Sequence, residues 1–157
     1  MRRLLALVLA TTAMACGGTP PTSLAVGGPA PAFELSAVDG STVSLAELAG
    51  EPRALVFWAT WCGPCLSEIP ALQAIEKDDP GRIISIALDG GGAADVREFL
   101  ESRPLPYRVL LGDADLFARY DGLAIPQTVV LDRELRVVSV HRGAVGETTL
   151  RRELDAL

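Results

Sequence analysis

The stretch Phe57-Trp58-Ala59-Thr60-Trp61-Cys62-Gly63-Pro64-Cys65 restricts the fold of this chain more than any other. It is entered by Ala54-Leu55-Val56-Phe57, a continuous apolar run of strand length that suits a central strand covered on both faces. It is followed by Leu66, Ile69, Leu72 and Ile75, which draw one apolar stripe at helical spacing. A strand leading in and a helix leading out place Cys62 at a helix N-terminus. Unpaired N–H groups there carry partial positive charge and favour thiolate over thiol. Cys65 follows one turn inward, positioned to displace the product after Cys62 attacks a disulfide.

Other uses of the pair are weaker. A structural zinc site takes about four Cys or His ligands, whereas this pair is joined only by the distant His141, the single histidine. His141, at a strand end, reads as a satisfied surface residue. A purely structural disulfide over so short a ring removes little chain entropy. Redox exchange remains the reading with a defined mechanism.

The surrounding motifs carry a family resemblance. Gly28-Pro29-Ala30-Pro31-Ala32-Phe33-Glu34-Leu35, Asp39-Gly40 with Val43-Ser44-Leu45, the FWATWCGPC run, Glu68-Ile69-Pro70 and Ile125-Pro126-Gln127-Thr128 follow one another in order. Together they resemble the TlpA/ResA-like branch of thioredoxin-fold proteins, from about residue 28 to the end. The resemblance implies an α/β thioredoxin fold, a three-layer α/β/α sandwich with a mixed central sheet. An N-terminal β-hairpin and a central helix–strand insertion come with it. The resemblance further implies Cys62 as nucleophile, Cys65 as resolving thiol and Pro126 as a cis-proline facing them. Trp61, Gly63, Pro64 and Ile125 are then expected against the substrate.

Glu68 has a separate argument. It falls three residues after Cys65, so helical spacing brings its carboxylate into the second thiol's neighbourhood. Val56 occupies the strand position where thioredoxins carry a buried Asp, so another group must take the proton from Cys65, and a base must sit close to what it deprotonates. In the resembled branch the matching Glu is an active-site acid; the plainer alternative is an exposed helix glutamate.

At 157 residues the chain suits one domain plus a leader. Its net charge of −6, with Lys77 the only lysine, argues against a nucleic-acid partner, which needs a basic face. Arg2 and Arg3, the apolar Leu4–Ala10 run and Ala13-Met14-Ala15 read as an export signal over residues 1–15. Cys16, followed by Gly17-Gly18, resembles the lipidated cysteine of a bacterial lipoprotein. Ala13 stands where such signals usually carry Leu and equally suits ordinary signal peptidase. Residues 16–28 have the composition of a flexible tether or of a terminus with no role, and residues 29–157 form the thioredoxin-like domain.

Within that domain, Phe33–Leu35 and Thr42–Ser44 read as a hairpin, Leu45–Leu48 as a helical turn and Arg82–Leu88 as a second central strand. Gly90-Gly91-Gly92 lacks the Lys-Ser or Lys-Thr of a phosphate loop and reads as a flexible connector. A helix over Ala93–Ser102 and a strand over Tyr107–Leu111 resemble the insertion of the branch. A short helix follows at Leu116–Tyr120. A closing hairpin of Thr128–Leu131 and Arg136–Val140 lacks a turn glycine, and Gly146–Leu157 is an amphipathic helix. Pro70 is expected to kink the first long helix.

These readings converge on an extracytoplasmic, membrane-anchored monomer that reduces specific protein disulfides, for example in cytochrome c maturation. It would draw electrons from a membrane donor and need no metal and no cofactor. Two alternatives differ in class. A thiol peroxidase would carry Thr where Ala59 stands, and a copper-binding assembly protein of related fold would space its cysteines one residue further apart.

Overall fold

The computed structural model describes residues 24–157. The expected signal peptide, Cys16 and the expected tether up to residue 23 lie outside the described residues. The elements run β1 (Glu34–Ser36), β2 (Thr42–Ser44), a 3-10 turn (Leu45–Leu48), β3 (Arg53–Trp58), α1 (Gly63–Asp78), β4 (Ile83–Ala87) and α2 (Ala93–Ser102). They continue as β5 (Arg108–Leu111), α3 (Ala114–Arg119), β6 (Gln127–Leu131), β7 (Val137–Arg142) and α4 (Glu147–Asp155).

β3 lies at the middle of a five-stranded sheet of order β5-β4-β3-β6-β7. β4 pairs parallel to β3 and β5 parallel to β4, while β6 pairs antiparallel to both β3 and β7, so the sheet is mixed as expected. Residues 54–58 are all buried, which is why this strand reads as a continuous apolar run rather than an alternating one.

Alternation along the strands assigns two cores. Ala54 and Val56 join Ile83 and Val130 beneath α1 and α4, against Leu72, Ile75, Leu150 and Leu154. Leu55 and Phe57 join Ile84, Ile86 and Val129 on the opposite face, against Phe33 and Val43 of the hairpin and Leu116 and Tyr120 of the α3 region. Trp58, Ala87 and Val109 seat Val96 of α2 and extend the first face as far as the two cysteines. These are the three layers.

Three local expectations are refined. Gly90–Gly92, expected as a flexible connector, forms a hydrogen-bonded turn. The Gly92 N–H donates to the Asp89 carbonyl (2.9 Å) at φ +73°, and a Cβ at Gly91 would stand 1.9 Å from Asp95 Oδ2. The β6–β7 turn does without glycine because Asp132 Oδ1 accepts the N–H groups of Glu134 (3.0 Å) and Arg136 (2.8 Å), while Leu135 itself takes φ +61°. Finally, the expected tether is fastened at its end: the Gly27 N–H donates to the Val137 carbonyl (2.8 Å) and Gly28 accepts from the Val137 N–H (2.9 Å).

Candidate active site

β3 ends at Trp58, and the next four residues turn the chain into α1. Asp89, just past β4, holds this turn. Asp89 is 8% exposed, and its carboxylate accepts the Thr60 N–H at 3.1 Å and the Thr60 hydroxyl. The turn closes with the Cys62 N–H donating to the Ala59 carbonyl at 3.1 Å. Trp61 is left 71% exposed at the rim.

Cys62 is the N-cap of α1, and its sulfur accepts the Cys65 N–H at 3.2 Å. That contact is the physical content of the helix-terminus argument. A main-chain donor already points at the sulfur, and the same donor would stabilise a thiolate once the disulfide is reduced. Cys62 and Cys65 are joined by a disulfide with Cα atoms 5.2 Å apart. Both are nearly enclosed, at 5% and 3% exposure, whereas Gly63 and Pro64 between them are exposed. Pro64 falls in the first helical turn, where a missing N–H costs nothing. Pro70 sits on the exposed side of α1, which runs unbroken from Gly63 to Asp78.

Across from the dithiol, the Ile125–Pro126 peptide bond is cis. The Ile125 carbonyl oxygen stands 3.8 Å from Cys62 Sγ. The loop after β7 supports this corner, the Gly143 N–H donating to the Pro126 carbonyl at 2.8 Å. The structure therefore brings Cys62, Cys65, Ile125 and Pro126 together, with Trp61, Gly63 and Pro64 exposed around them.

Glu68 is not an exposed helix glutamate. It is 3% exposed, its Oε1 accepts the Val145 N–H at 3.0 Å, and its Oε2 is buried with no hydrogen-bond partner among the described residues. Burial pushes the carboxyl above the usual carboxylate range, opposed by the Val145 N–H and by the charge of His141. Tyr107 is pushed above the usual phenol range, by burial first and then by the negative charge of Glu68 and Glu76. His141 is the next-to-last residue of β7, near the strand end as expected, with its Nε2 2.8 Å from Glu153 Oε2.

Two site contributors escape a reading of the sequence. Asp89 looks like a strand-ending turn residue, and Val145 acts only through its N–H; neither has a side-chain signature. A cavity of ≈ 710 Å³ opens instead at the other end of the strands, beside Arg53, Ile83 and Arg108. A shallower groove of ≈ 440 Å³ borders the dithiol turn, lined by Thr60, Trp61, Asp95, Glu98, Phe99 and Ser102.

The Redoxin family matches residues 25–157. The chain belongs to the Redoxin family. It is 30% identical over 131 residues to the thiol-disulfide oxidoreductase ResA of Bacillus subtilis, covering 82% of this chain and 73% of that one. A crystal structure of a thiol:disulfide interchange protein DsbE from Chlorobium tepidum superposes with a TM-score of 0.76 at 28% identity. It covers 85% of this chain and 98% of the other. The exposed lipoprotein thioredoxin Etrx1 of Streptococcus pneumoniae gives a TM-score of 0.71 at 27% identity, over 80% of this chain and 99% of its own. This Redoxin-family chain is a thiol–disulfide oxidoreductase of ResA/DsbE type, and Cys62–Cys65 is its disulfide. Among the described residues, no helix is long and apolar enough to cross a membrane.

Proposed function

We propose that the protein reduces specific protein disulfides outside the cytoplasm, anchored to a membrane by lipid on Cys16 and recharged by a membrane electron donor. The single observation that carries the reductive cycle is the enclosed Cys62–Cys65 pair, one of whose sulfurs caps α1, with the buried Glu68 one turn further along the same helix.

In the cycle, the Cys62 thiolate attacks one sulfur of the substrate disulfide. This forms the mixed disulfide and releases the first substrate thiolate, which takes a proton from water. Glu68 carboxylate accepts the proton of the Cys65 thiol; the resulting thiolate attacks Cys62 Sγ, breaks the mixed disulfide and frees the second substrate thiolate. Two electrons have then passed to the substrate, the Cys62–Cys65 disulfide is restored, and the proton held by Glu68 leaves to the departing thiolate or to solvent. Ile125 presents its carbonyl beside Cys62 while Pro126 has no N–H to offer, so an extended substrate strand docks here through its own main chain. Trp61, Gly63 and Pro64 form the exposed wall against which it lies. Apocytochrome c cysteines are substrates of suitable chemistry for a ResA-type reductase.

The test is trapping with Cys65→Ser. The variant is expected to stall as a covalent adduct with its substrate that dithiothreitol releases, while Cys62→Ser captures nothing. Equal capture by both variants would contradict the assigned order of attack.

A further inference from the structure

Asp89 is a buried carboxylate to which the exchange cycle gives no part. Its oxygens take every donor that Thr60 has, the N–H at 3.1 and 3.3 Å and the hydroxyl at Oδ1. Among the described residues it enters no ion pair, so these hydrogen bonds rather than a cation offset its burial. Two donors of one residue on one carboxylate fix that residue's main chain and its side-chain rotamer together.

What Thr60 fixes in turn is the frame of the nucleophile. β3 ends at Trp58 and α1 begins at Gly63, so Ala59–Cys62 must turn a strand into a helix within four residues. The Leu88 N–H donates to the Trp58 carbonyl at 2.9 Å where the turn begins, and the Leu66 N–H to the Cys62 carbonyl at 3.0 Å where it ends. Within it, the Cys62 N–H closes on the Ala59 carbonyl at 3.1 Å, and Thr60 stands inside that closure with its own N–H spent on Asp89. The Cys65 N–H then meets Cys62 Sγ at 3.2 Å. A hydrogen bond weakens steeply once its angle opens, so this last contact depends on how firmly the turn is held. Asp89 is itself tied down. Its carbonyl accepts the Gly92 N–H at 2.9 Å in the turn that opens α2, and α2 sets Phe99 against Trp58 with ring centroids 5.4 Å apart.

We propose that Asp89 is a positioning residue for exchange: by gripping both donors of Thr60 it holds the dithiol turn in the arrangement that keeps Cys62 Sγ on the Cys65 N–H, and so keeps Cys62 reactive. The proposal rests on the reading of Cys62 as the attacking thiol.

Charge and grip act in opposite directions here, which makes them separable. A negative charge near the dithiol disfavours a thiolate on Cys62. Holding the Cys65 N–H against the sulfur favours one. The grip is the larger of the two effects.

The experiment follows iodoacetamide alkylation of reduced Cys62 against pH, with Cys65→Ala as the parent protein because it keeps the main-chain donor. Asp89→Asn removes the charge and keeps an oxygen for Thr60, whereas Asp89→Ala removes the charge and both oxygens. Loss of charge alone lowers the midpoint equally in the two; loss of grip raises it in Asp89→Ala only. Asp89→Ala is therefore expected to titrate about half to one pH unit above Asp89→Asn, a three- to tenfold difference in thiol acidity. Thr60→Val, which loses the hydroxyl and leaves the charge in place, is expected to titrate above the parent, while Thr60→Ser, with both donors, matches it. Coincident midpoints for Asp89→Ala and Asp89→Asn, or for Thr60→Val and Thr60→Ser, would overturn the proposal, and the Thr60 pair decides it should Asp89→Ala fail to fold. A residue that only supports the fold would lower the urea midpoint of Asp89→Ala and leave these titrations together. The outcome is separable from the role of Cys62: a parent protein in which Cys62 titrates like a free thiol, at about 8.5, would remove the nucleophile, whereas an acidic parent thiol with coincident variants would remove only the part of Asp89.

Discussion

Glu68 concentrates the chemistry at the scale of single residues. A carboxyl that binds its proton more tightly in the folded chain than in the unfolded one subtracts stability once pH rises above the ordinary carboxylate range. The unfolded chain then holds fewer protons than the folded one. Burial places Glu68 in that class. Glu68→Gln is therefore expected to be more resistant to urea than the wild type at pH 7 to 8, with the difference vanishing below about pH 4, where both forms are neutral. The same variant is expected to slow exchange by about 10²-fold, the ordinary worth of a positioned base. A more stable but slower enzyme is the signature of a group kept for function. Loss of stability together with loss of rate would instead indicate that Glu68 holds the fold. The residue's place three after Cys65 is visible from helical periodicity, but its enclosure is not. The Val145 N–H that ties it down is 77 residues away in sequence, and main-chain donors leave no trace in side-chain patterns.

Among elements, the strand–turn–helix unit of β3 and α1 is legible because every local preference agrees: a buried apolar strand, proline in the first helical turn, and an apolar stripe beneath. The β6–β7 hairpin was harder to read for lack of glycine, its turn being organised by the Asp132 carboxylate and a left-handed Leu135. Asp89 was illegible as a site residue for the same reason as Val145, since its partner Thr60 lies 29 positions away. Long-range polar ties also join the N-terminal segment to α3. Tyr120, fully buried, donates its hydroxyl to the Pro31 carbonyl at 2.7 Å, and its own carbonyl accepts from Gln127 Nε2 at 2.7 Å. Tyr120→Phe keeps the ring contacts with Phe57 and Phe33 but leaves the Pro31 carbonyl unpaired. It is expected to cost about 1–3 kcal/mol in urea denaturation. A neutral result would mean that the Tyr120 hydroxyl adds nothing to the hold on the segment ahead of β1, which the main-chain bonds of Gly27 and Gly28 to Val137 would then secure without it.

For the whole molecule, net charge and the position of the site set the terms of encounter. The chain carries −6, and Asp95 and Glu98 line the groove beside Trp61 at the dithiol. A field of that sign steers cationic partners. Reduced protein is expected to reduce a cationic peptide disulfide about tenfold faster than an anionic one of equal length at low salt, the gap closing as ionic strength passes 0.15 M and the Debye length falls to about 8 Å. Stopped-flow tryptophan fluorescence, with Trp61 at the rim, measures this directly; equal rates at low salt would show that charge plays no part in encounter. The expectations about exchange depend on Cys62 being a thiolate when substrate arrives, as its capping position on α1 and the Cys65 N–H at its sulfur require. The measurement that bears most directly on this is the pH dependence of iodoacetamide alkylation of reduced Cys62, with Cys65→Ala used to isolate it. The account predicts half-maximal reactivity well below the free-thiol value of about 8.5; a midpoint at that value would contradict it.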